Sequence, residues 1–152
     1  MAKNYLVKAT RKTAVARCVI KPGTGKIHIN KTPIDVYYTG YKREIVKEPS
    51  HIAQEEFSKF DFFINIKGGG VSGQAQAARS CVAKGILLAN GNKEKLKEKF
   101  VAYDRHLLVD DVRQKETKKQ LGKGARGKKQ HSKRWINNDL SYTLFFLWPS
   151  SC

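Results

Sequence analysis

A strongly basic segment near the carboxyl end limits what this chain can fold into. Residues 113–134 contain ten Lys or Arg and one acid, Glu116, so this segment carries +9 of the net +17. Leu121 is its only large aliphatic residue. Such a segment cannot bury enough apolar surface to offset the entropy lost on ordering. We therefore predict a basic arm that becomes ordered when it binds a polyanion.

The sequence on either side of the arm has a different character. Residues 1–112 contain the apolar periodicity of a folded domain, and a chain of 152 residues with 40% hydrophobic content can bury one core. Residues 135–152 contain no Lys or Arg, and Asp139 is their only acid. We divide the chain into a globular RNA-binding domain (1–112), a basic arm (113–134) and an atypical apolar extension (135–152).

Charge and composition also exclude several classes of protein. A net charge of +17 implies a polyanionic partner, with nucleic acid favoured over an anionic membrane surface. No signal-peptide core precedes the domain, and no apolar run is long enough to span a membrane. The three cysteines lie far apart, and the four histidines are scattered. We expect no disulfide framework, no metal, no cofactor and a reducing cytoplasmic location.

Strand and helix patterns in residues 1–112 predict an α+β domain with a mixed sheet. Residues 22–25 (PGTG) have turn chemistry and predict a hairpin between the runs on either side of them. Strands are predicted over residues 5–9, 13–21, 26–30, 61–67 and 107–109. Helices are predicted over residues 34–39, 45–58 (interrupted near Pro49), 73–90 and 93–103.

A glycine-rich loop, residues 67–74 (KGGGVSGQ), joins a predicted strand to the longest predicted helix. Glycines allow a close backbone approach, a helix N-terminus offers free N–H groups, and Lys67 adds a full charge, so the loop is a candidate phosphate site. It is neither a Walker loop nor a dinucleotide fingerprint. The alternative is a tight turn in which Ser72 caps the helix and the glycines serve geometry alone.

Other charged residues have weaker signals. Arg11, Lys12 and Arg17 flank or occupy a predicted strand and either contact RNA or only interact with solvent. Arg79 either extends the anion-binding surface or interacts with solvent. Asp110 and Asp111 are the obvious place for acid–base chemistry, but without a spaced His or metal motif we expect structural ion pairing or capping there.

Four motifs, in order along the chain, resemble the universal small-ribosomal-subunit protein nine family, called protein sixteen in eukaryotes. The resemblance covers residues 5–134, and its Gly-Lys-Gly-Ala-Arg and Tyr103-Asp104-Arg105 forms resemble the archaeal and eukaryotic branch. The motifs are residues 11–17 (RKTAVAR), 25–30 (GKIHIN), 67–70 (KGGG) with 73–75 (GQA), and 110–113 (DDVR) leading to 122–126 (GKGAR) and 130–134 (QHSKR).

The resemblance implies a two-layer α/β domain with a left-handed βαβ crossover, although general rules favour a right-handed one. It implies a non-enzymatic structural protein in the head of the small subunit. Its partners would be small-subunit rRNA, P-site tRNA and neighbouring ribosomal proteins, without membrane association or homo-oligomer formation. The expected tRNA-proximal residues are Ser132, Lys133 and Arg134. The expected RNA-binding residues are Arg11, Lys12, Arg17, Lys67, Gly68, Gly69, Gly70, Gln74, Arg79, Arg113, Lys118, Lys119, Lys123, Arg126, Lys128 and Lys129.

The family typically ends at the arginine that corresponds to Arg134, whereas this chain continues through residues 135–152. Three explanations stay open: the extension folds back, it marks a diverged ribosome or paralogue, or the reading frame was ended incorrectly. Two other functions also remain as alternatives. One is a small phosphotransferase that uses the glycine loop, and the other is a protein of membrane surfaces or of nucleic acids in general, whose arm and apolar end act together on lipid.

Overall fold

We describe residues 4–120 and 122–127 in a computed structural model. The chain divides into two units, with the boundary between Gln114 and Lys115. Within the described part of the chain, the first unit contains a five-stranded sheet with the strand order β1-β2-β5-β3-β4. The strands are β1 (Tyr5–Arg11), β2 (Ala14–Pro22), β3 (Ile27–Ile29), β4 (Thr32–Pro33) and β5 (Phe60–Lys67).

The sheet is mixed, which confirms the predicted fold class. β5 pairs antiparallel with β2 and parallel with β3, while the β1–β2 and β3–β4 pairs are antiparallel. Helices α1 (Ile34–Tyr37), α2 (Tyr41–Ile52) and α3 (Gln54–Phe57) lie between β4 and β5 along the chain. The parallel β3–β5 pair therefore requires a crossover, as the resemblance implies, and its left-handed sense stays a prediction.

The hairpin predicted between residues 13–21 and 26–30 is wrong, because β5 lies between β2 and β3. The turn at residues 22–25 is held by hydrogen bonds to Asp61 in β5 and to Lys59, which directly precedes β5. Asp61 accepts hydrogen bonds from the backbone N–H groups of Thr24 and Lys26, both at 2.9 Å. The Gly23 N–H donates to the Lys59 carbonyl at 3.0 Å. The sequence therefore predicts the turn correctly, but the strand that follows the turn does not pair with β2.

Helices cover one face of the sheet. Helix α4 (Val71–Ala89) packs against β1, β2 and β5, and α5 (Glu94–Tyr103) and a short 3-10 turn (Arg105–Leu107) follow it. Alternate residues of β2 and β5 point into this core, and the residues between them lie on the other face, which is open. In β2 and β5, the fully or almost fully buried residues are Ala14, Ala16, Cys18, Ile20, Phe62, Ile64 and Ile66.

Two local predictions are wrong at the level of the element. The helical stretch predicted over residues 45–58 breaks at Ala53 and not near Pro49, which lies inside α2. Residues 107–109 do not form a strand, because Asp104 accepts the His106 N–H at 2.8 Å and starts a 3-10 turn that buries Leu107. The single strand-like bridge in this region comes slightly later, between Arg11 and Asp111, among the residues described.

Candidate nucleic-acid interface

The loop between β5 and α4 requires glycine at its first two glycine positions. Gly68 and Gly69 have φ of 76° and 69°, which L side chains rarely adopt. A Cβ on Gly68 would lie 2.6 Å from the Thr13 carbonyl oxygen, and one on Gly69 would lie 2.8 Å from the Ala14 nitrogen. The loop therefore packs directly on the backbone that connects β1 and β2.

Gly70 differs from Gly68 and Gly69 in its backbone conformation and in the space around it. Its backbone is extended, with φ −94° and ψ 163°, and a Cβ built on it would meet no atom within 4 Å. The turn therefore does not account for glycine at this position. A requirement for close approach by an external group would account for it.

Helix α4 begins beside Gly70 with its first N–H groups exposed to a pocket. Gly70 is the N-cap, the capping prediction for Ser72 is wrong, and no side chain of the described residues caps the helix. The Gln74 N–H to Gly70 carbonyl bond, at 2.9 Å, begins the helical series, so the preceding N–H groups have no helical partner. The pocket has a volume of about 390 Å³, and its lining includes Lys12, Gly70, Ser72 and Gln76.

Two exposed cations, Lys12 and Lys67, lie on the segments that form this loop and pocket. Neither forms an ion pair within the described residues. Arg11 also lines the pocket, but its guanidinium is held by Asp111 and, at 2.8 Å, by the Gln76 amide oxygen. Gln74 donates its amide to the Gly68 carbonyl at 3.1 Å and so supports the loop.

Arg79 lies outside this pocket, in an ionic cluster. Its guanidinium is 2.6 Å from a Glu48 oxygen and 2.9 Å from an Asp104 oxygen, and its side chain is 17% exposed. The cluster ties α4 to α2 and to the end of α5. Burial raises the pKa of Asp104, but the His106 N–H and the Arg79 charge outweigh burial and lower it overall.

Asp110 and Asp111 have the structural role that the sequence predicts. Asp110 accepts from the Thr10 N–H at 3.3 Å and from the Lys84 ammonium at 2.8 Å. Asp111 accepts from Arg113 at 2.8–3.1 Å and also from Arg11. These bonds, those from Arg113 first, hold the pKa of Asp111 well below its usual range.

The carboxylate pair therefore fixes the chain next to β1 just before the arm begins, and the Gln114 amide adds a bond to the Lys12 carbonyl at 3.2 Å. Sequence reasoning identified the type of interaction here but missed the partners, because Arg11 and Asp111 are 100 positions apart.

The described part of the arm is highly exposed. Arg126 pairs with Glu116 at 2.6 Å, which lowers the pKa of that carboxyl. The predicted site residues Lys118, Lys119 and Lys123 are exposed. Arg17, far from the arm in sequence, is exposed in the middle of β2, opposite Lys8 and Asn65. Five further predicted residues lie outside the described part of the chain: Lys128, Lys129, Ser132, Lys133 and Arg134.

The described residues contain neither a metal-binding cluster nor a membrane-spanning helix. No group of three or more His, Cys, Asp or Glu side chains in residues 4–120 and 122–127 is placed to hold a metal ion. Across the same ranges, every helix is too short or too polar to cross a membrane.

Comparison with known proteins gives consistent results. A family model described as ribosomal protein S9/S16 matches residues 9–134, so residues 135–152 lie beyond the match. The small ribosomal subunit protein uS9 of Methanothrix thermoacetophila is 47% identical over 124 residues, which are 82% of this chain and 93% of that protein. The protein of the same name from Picrophilus torridus is 42% identical over 132 residues, covering 86% and 98% of the two chains.

Proposed function

Because the chain belongs to the ribosomal protein S9/S16 family, we propose that its glycine loop contacts small-subunit rRNA and that its basic arm reaches the P-site tRNA. The chain is a structural constituent of the small ribosomal subunit, not an enzyme, and it acts in translation by binding rRNA. Phosphate neutralisation by Lys and Arg provides the main attraction.

The observation that carries the rRNA contact is the open N-terminus of α4 at Gly70. Free N–H groups and the positive end of the helix dipole favour a phosphate there. Lys12 and Lys67 add two full positive charges near the same loop. Gly70 has room for a side chain but carries none, which leaves space for a phosphate oxygen to approach the backbone.

The tRNA contact is supported by the family resemblance of residues 130–134. We assign it to Ser132, Lys133 and Arg134, with the rest of the arm, residues 113–131, lying along rRNA phosphates. Within this proposal the domain of residues 1–112 docks on rRNA as a monomer, beside neighbouring ribosomal proteins, in cytoplasmic ribosomes.

The substitution Gly70→Ala tests the glycine loop. The new Cβ meets no protein atom, so the fold is retained with a loss of at most about 1 kcal/mol, because alanine is a poorer N-cap than glycine. The same Cβ occupies the position where a phosphate would approach. We expect the full-length variant to bind small-subunit rRNA several-fold more weakly than the unchanged protein in a filter-binding titration.

Gly69→Ala is the contrasting variant, because its Cβ would collide with Ala14 at a φ of 69°. It should lower the melting temperature, whereas Gly70→Ala should leave it nearly unchanged. Equal rRNA affinity of Gly70→Ala and the unchanged protein would mean that no rRNA phosphate approaches the backbone at Gly70.

A further inference from the structure

The open face of the sheet has an aromatic pair at its centre. Phe63 on β5 and His28 on β3 are direct partners in the parallel register. Their ring centroids are 5.2 Å apart, and the rings are within 10° of parallel. Phe63 is 39% exposed although it lies on a central strand. We call Phe63, His28 and the pocket around them the platform.

The platform pocket has a volume of about 440 Å³ and combines an apolar floor with polar groups. Its lining includes Val19, Asn65, Lys31 and Lys67 in addition to the aromatic pair. The Asn65 side chain is exposed and forms no hydrogen bond within the described residues. A flat apolar surface beside a free amide can hold a nucleobase and bond to its edge.

Cations without counter-charges surround the platform. The exposed basic residues of this face and its rim are Lys8, Arg17, Lys21, Lys31 and Lys67. None of them is within 4.0 Å of a carboxylate of the described residues, and the Lys21 ammonium is 5.4 Å from the Phe63 centroid. Asp61, the acid at the edge of this face, is engaged by backbone N–H groups.

On the helix-covered side of the domain, several cations are held in ion pairs. There Lys47 pairs with Asp35, Lys84 with Asp110, and Arg79 with two carboxylates, at 2.6–2.9 Å. The five cations of the open face have no such carboxylate partner within the described residues. An external polyanion would neutralise them, whereas an uncharged protein surface would bury them at a high cost.

We propose that the platform binds an unpaired base of single-stranded rRNA, stacked against the Phe63–His28 pair. Lys21, Lys31 and Lys67 hold the phosphates on either side of the base, and the Asn65 amide bonds to the base edge. This inference rests on the proposed rRNA binding and adds a second contact surface, which adjoins the glycine loop at Lys67. RNA fits the platform because it supplies stacking surfaces and phosphates together.

Phe63→Leu tests the platform, because it keeps an apolar side chain on the open face and removes the ring. Full-length protein is titrated with two RNA probes at one salt concentration: a hairpin with a loop of unpaired adenosines, and a fully paired duplex with the same number of phosphates. Since stacking contributes about 1–3 kcal/mol per base, we expect about tenfold weaker binding of the hairpin and an unchanged affinity for the duplex.

Val101→Ala is the matched control, since Val101 is 47% exposed on α5, away from the open face and outside the platform pocket. It should change the affinity for neither RNA. Equal weakening of both RNAs by Phe63→Leu would overturn stacking. The stacking proposal would also be overturned if Phe63→Leu left both RNA affinities unchanged but caused the loss of a neighbouring protein from assembled subunits. That result would identify the open face as a protein-binding surface.

The test also separates this inference from the proposed function. If Phe63→Leu has no effect while Gly70→Ala still weakens rRNA binding, the platform proposal fails and the glycine-loop proposal stands. If the unchanged full-length protein binds neither probe and no rRNA, both proposals fail.

Discussion

Asn30 and Lys31 form the two-residue turn between β3 and β4, and both have positive φ, 49° and 72°. Asn30 suits this conformation, and its amide oxygen accepts the Ile66 N–H at 2.9 Å, which extends the contact with β5. Lysine has no such local bond, so Lys31 holds its charge beside the platform pocket at a cost in backbone strain. That cost can be measured.

We expect Lys31→Gly to raise the free energy of unfolding by up to about 1 kcal/mol, because left-handed strain of that order is removed. Loss of the ammonium should at the same time weaken binding of the hairpin RNA. Lys31→Ala is the matched control, since it removes the same charge but keeps a Cβ and its strain. Chemical denaturation would contradict the strain argument if the alanine and glycine variants were equally stable.

Single residues show how far local sequence reasoning extends. The glycine loop was located correctly, but the distinction between Gly69, which must be glycine, and Gly70, which need not be, depends on Ala14 in a distant strand connection. Arg79 is predicted from the sequence as an RNA contact. Its ion pairs with Glu48 and Asp104 are not predicted, because they depend on how three helical elements pack. Side-chain partners that are distant in sequence leave no local pattern to recognise.

Helix α4 approaches the sheet so closely that one of its residues has no room for a side chain. A Cβ on Gly85 would lie 2.8 Å from Ile20 Cδ1 and 3.1 Å from Phe62 Cε1, and both side chains are fully buried. Gly73, in the first turn of the same helix, would place its Cβ in ordinary contact, 3.6 Å from the Arg11 carbonyl oxygen.

Two alanine substitutions in α4 should therefore change stability in opposite directions. Gly73→Ala should stabilise the protein by up to about 1 kcal/mol through helix propensity. Gly85→Ala has the same propensity gain but overpacks the core at a cost of about 1–3 kcal/mol, so we expect net destabilisation. Thermal unfolding of the two full-length variants compares them directly. Stabilisation by both would show that Gly85 does not set the helix–sheet distance.

Elements with a strong internal pattern were predicted well, and strand pairing was not. The spacing of Ala75, Ala78 and Val82 places α4 within two residues of its bounds. The alternation in residues 61–67 predicted β5, but nothing in that run shows that β5 lies between β2 and β3. The same alternation puts Phe63 among polar residues, a signal of an exposed aromatic that sequence reasoning did not use.

At the scale of the whole molecule, the cations differ in whether the fold gives them a carboxylate partner. Lys47, Arg79 and Lys84 are paired on the helix-covered side, while the cations of the open sheet face form no ion pair within the described residues. The net +17 predicted a polyanion, and the family match confirms a ribosomal protein. Composition is enough to locate the basic arm. Only the fold shows which Lys and Arg residues are ion-paired within the protein and which remain available to bind RNA.

The arm provides the last test, because two pairs of its charges can be compared. Lys118→Gln with Lys119→Gln, and Lys133→Gln with Arg134→Gln, each remove two positive charges. The first double variant should reduce the salt dependence of rRNA binding, making the slope of log K against log salt less steep by about 1.4–1.8, whereas the second, whose side chains are assigned to the tRNA, should leave that slope unchanged. Only the second should weaken P-site tRNA binding by assembled small subunits, by roughly tenfold, because it removes charged donors placed at the tRNA. Equal tRNA affinities for the two double variants would place the end of the arm elsewhere on the subunit.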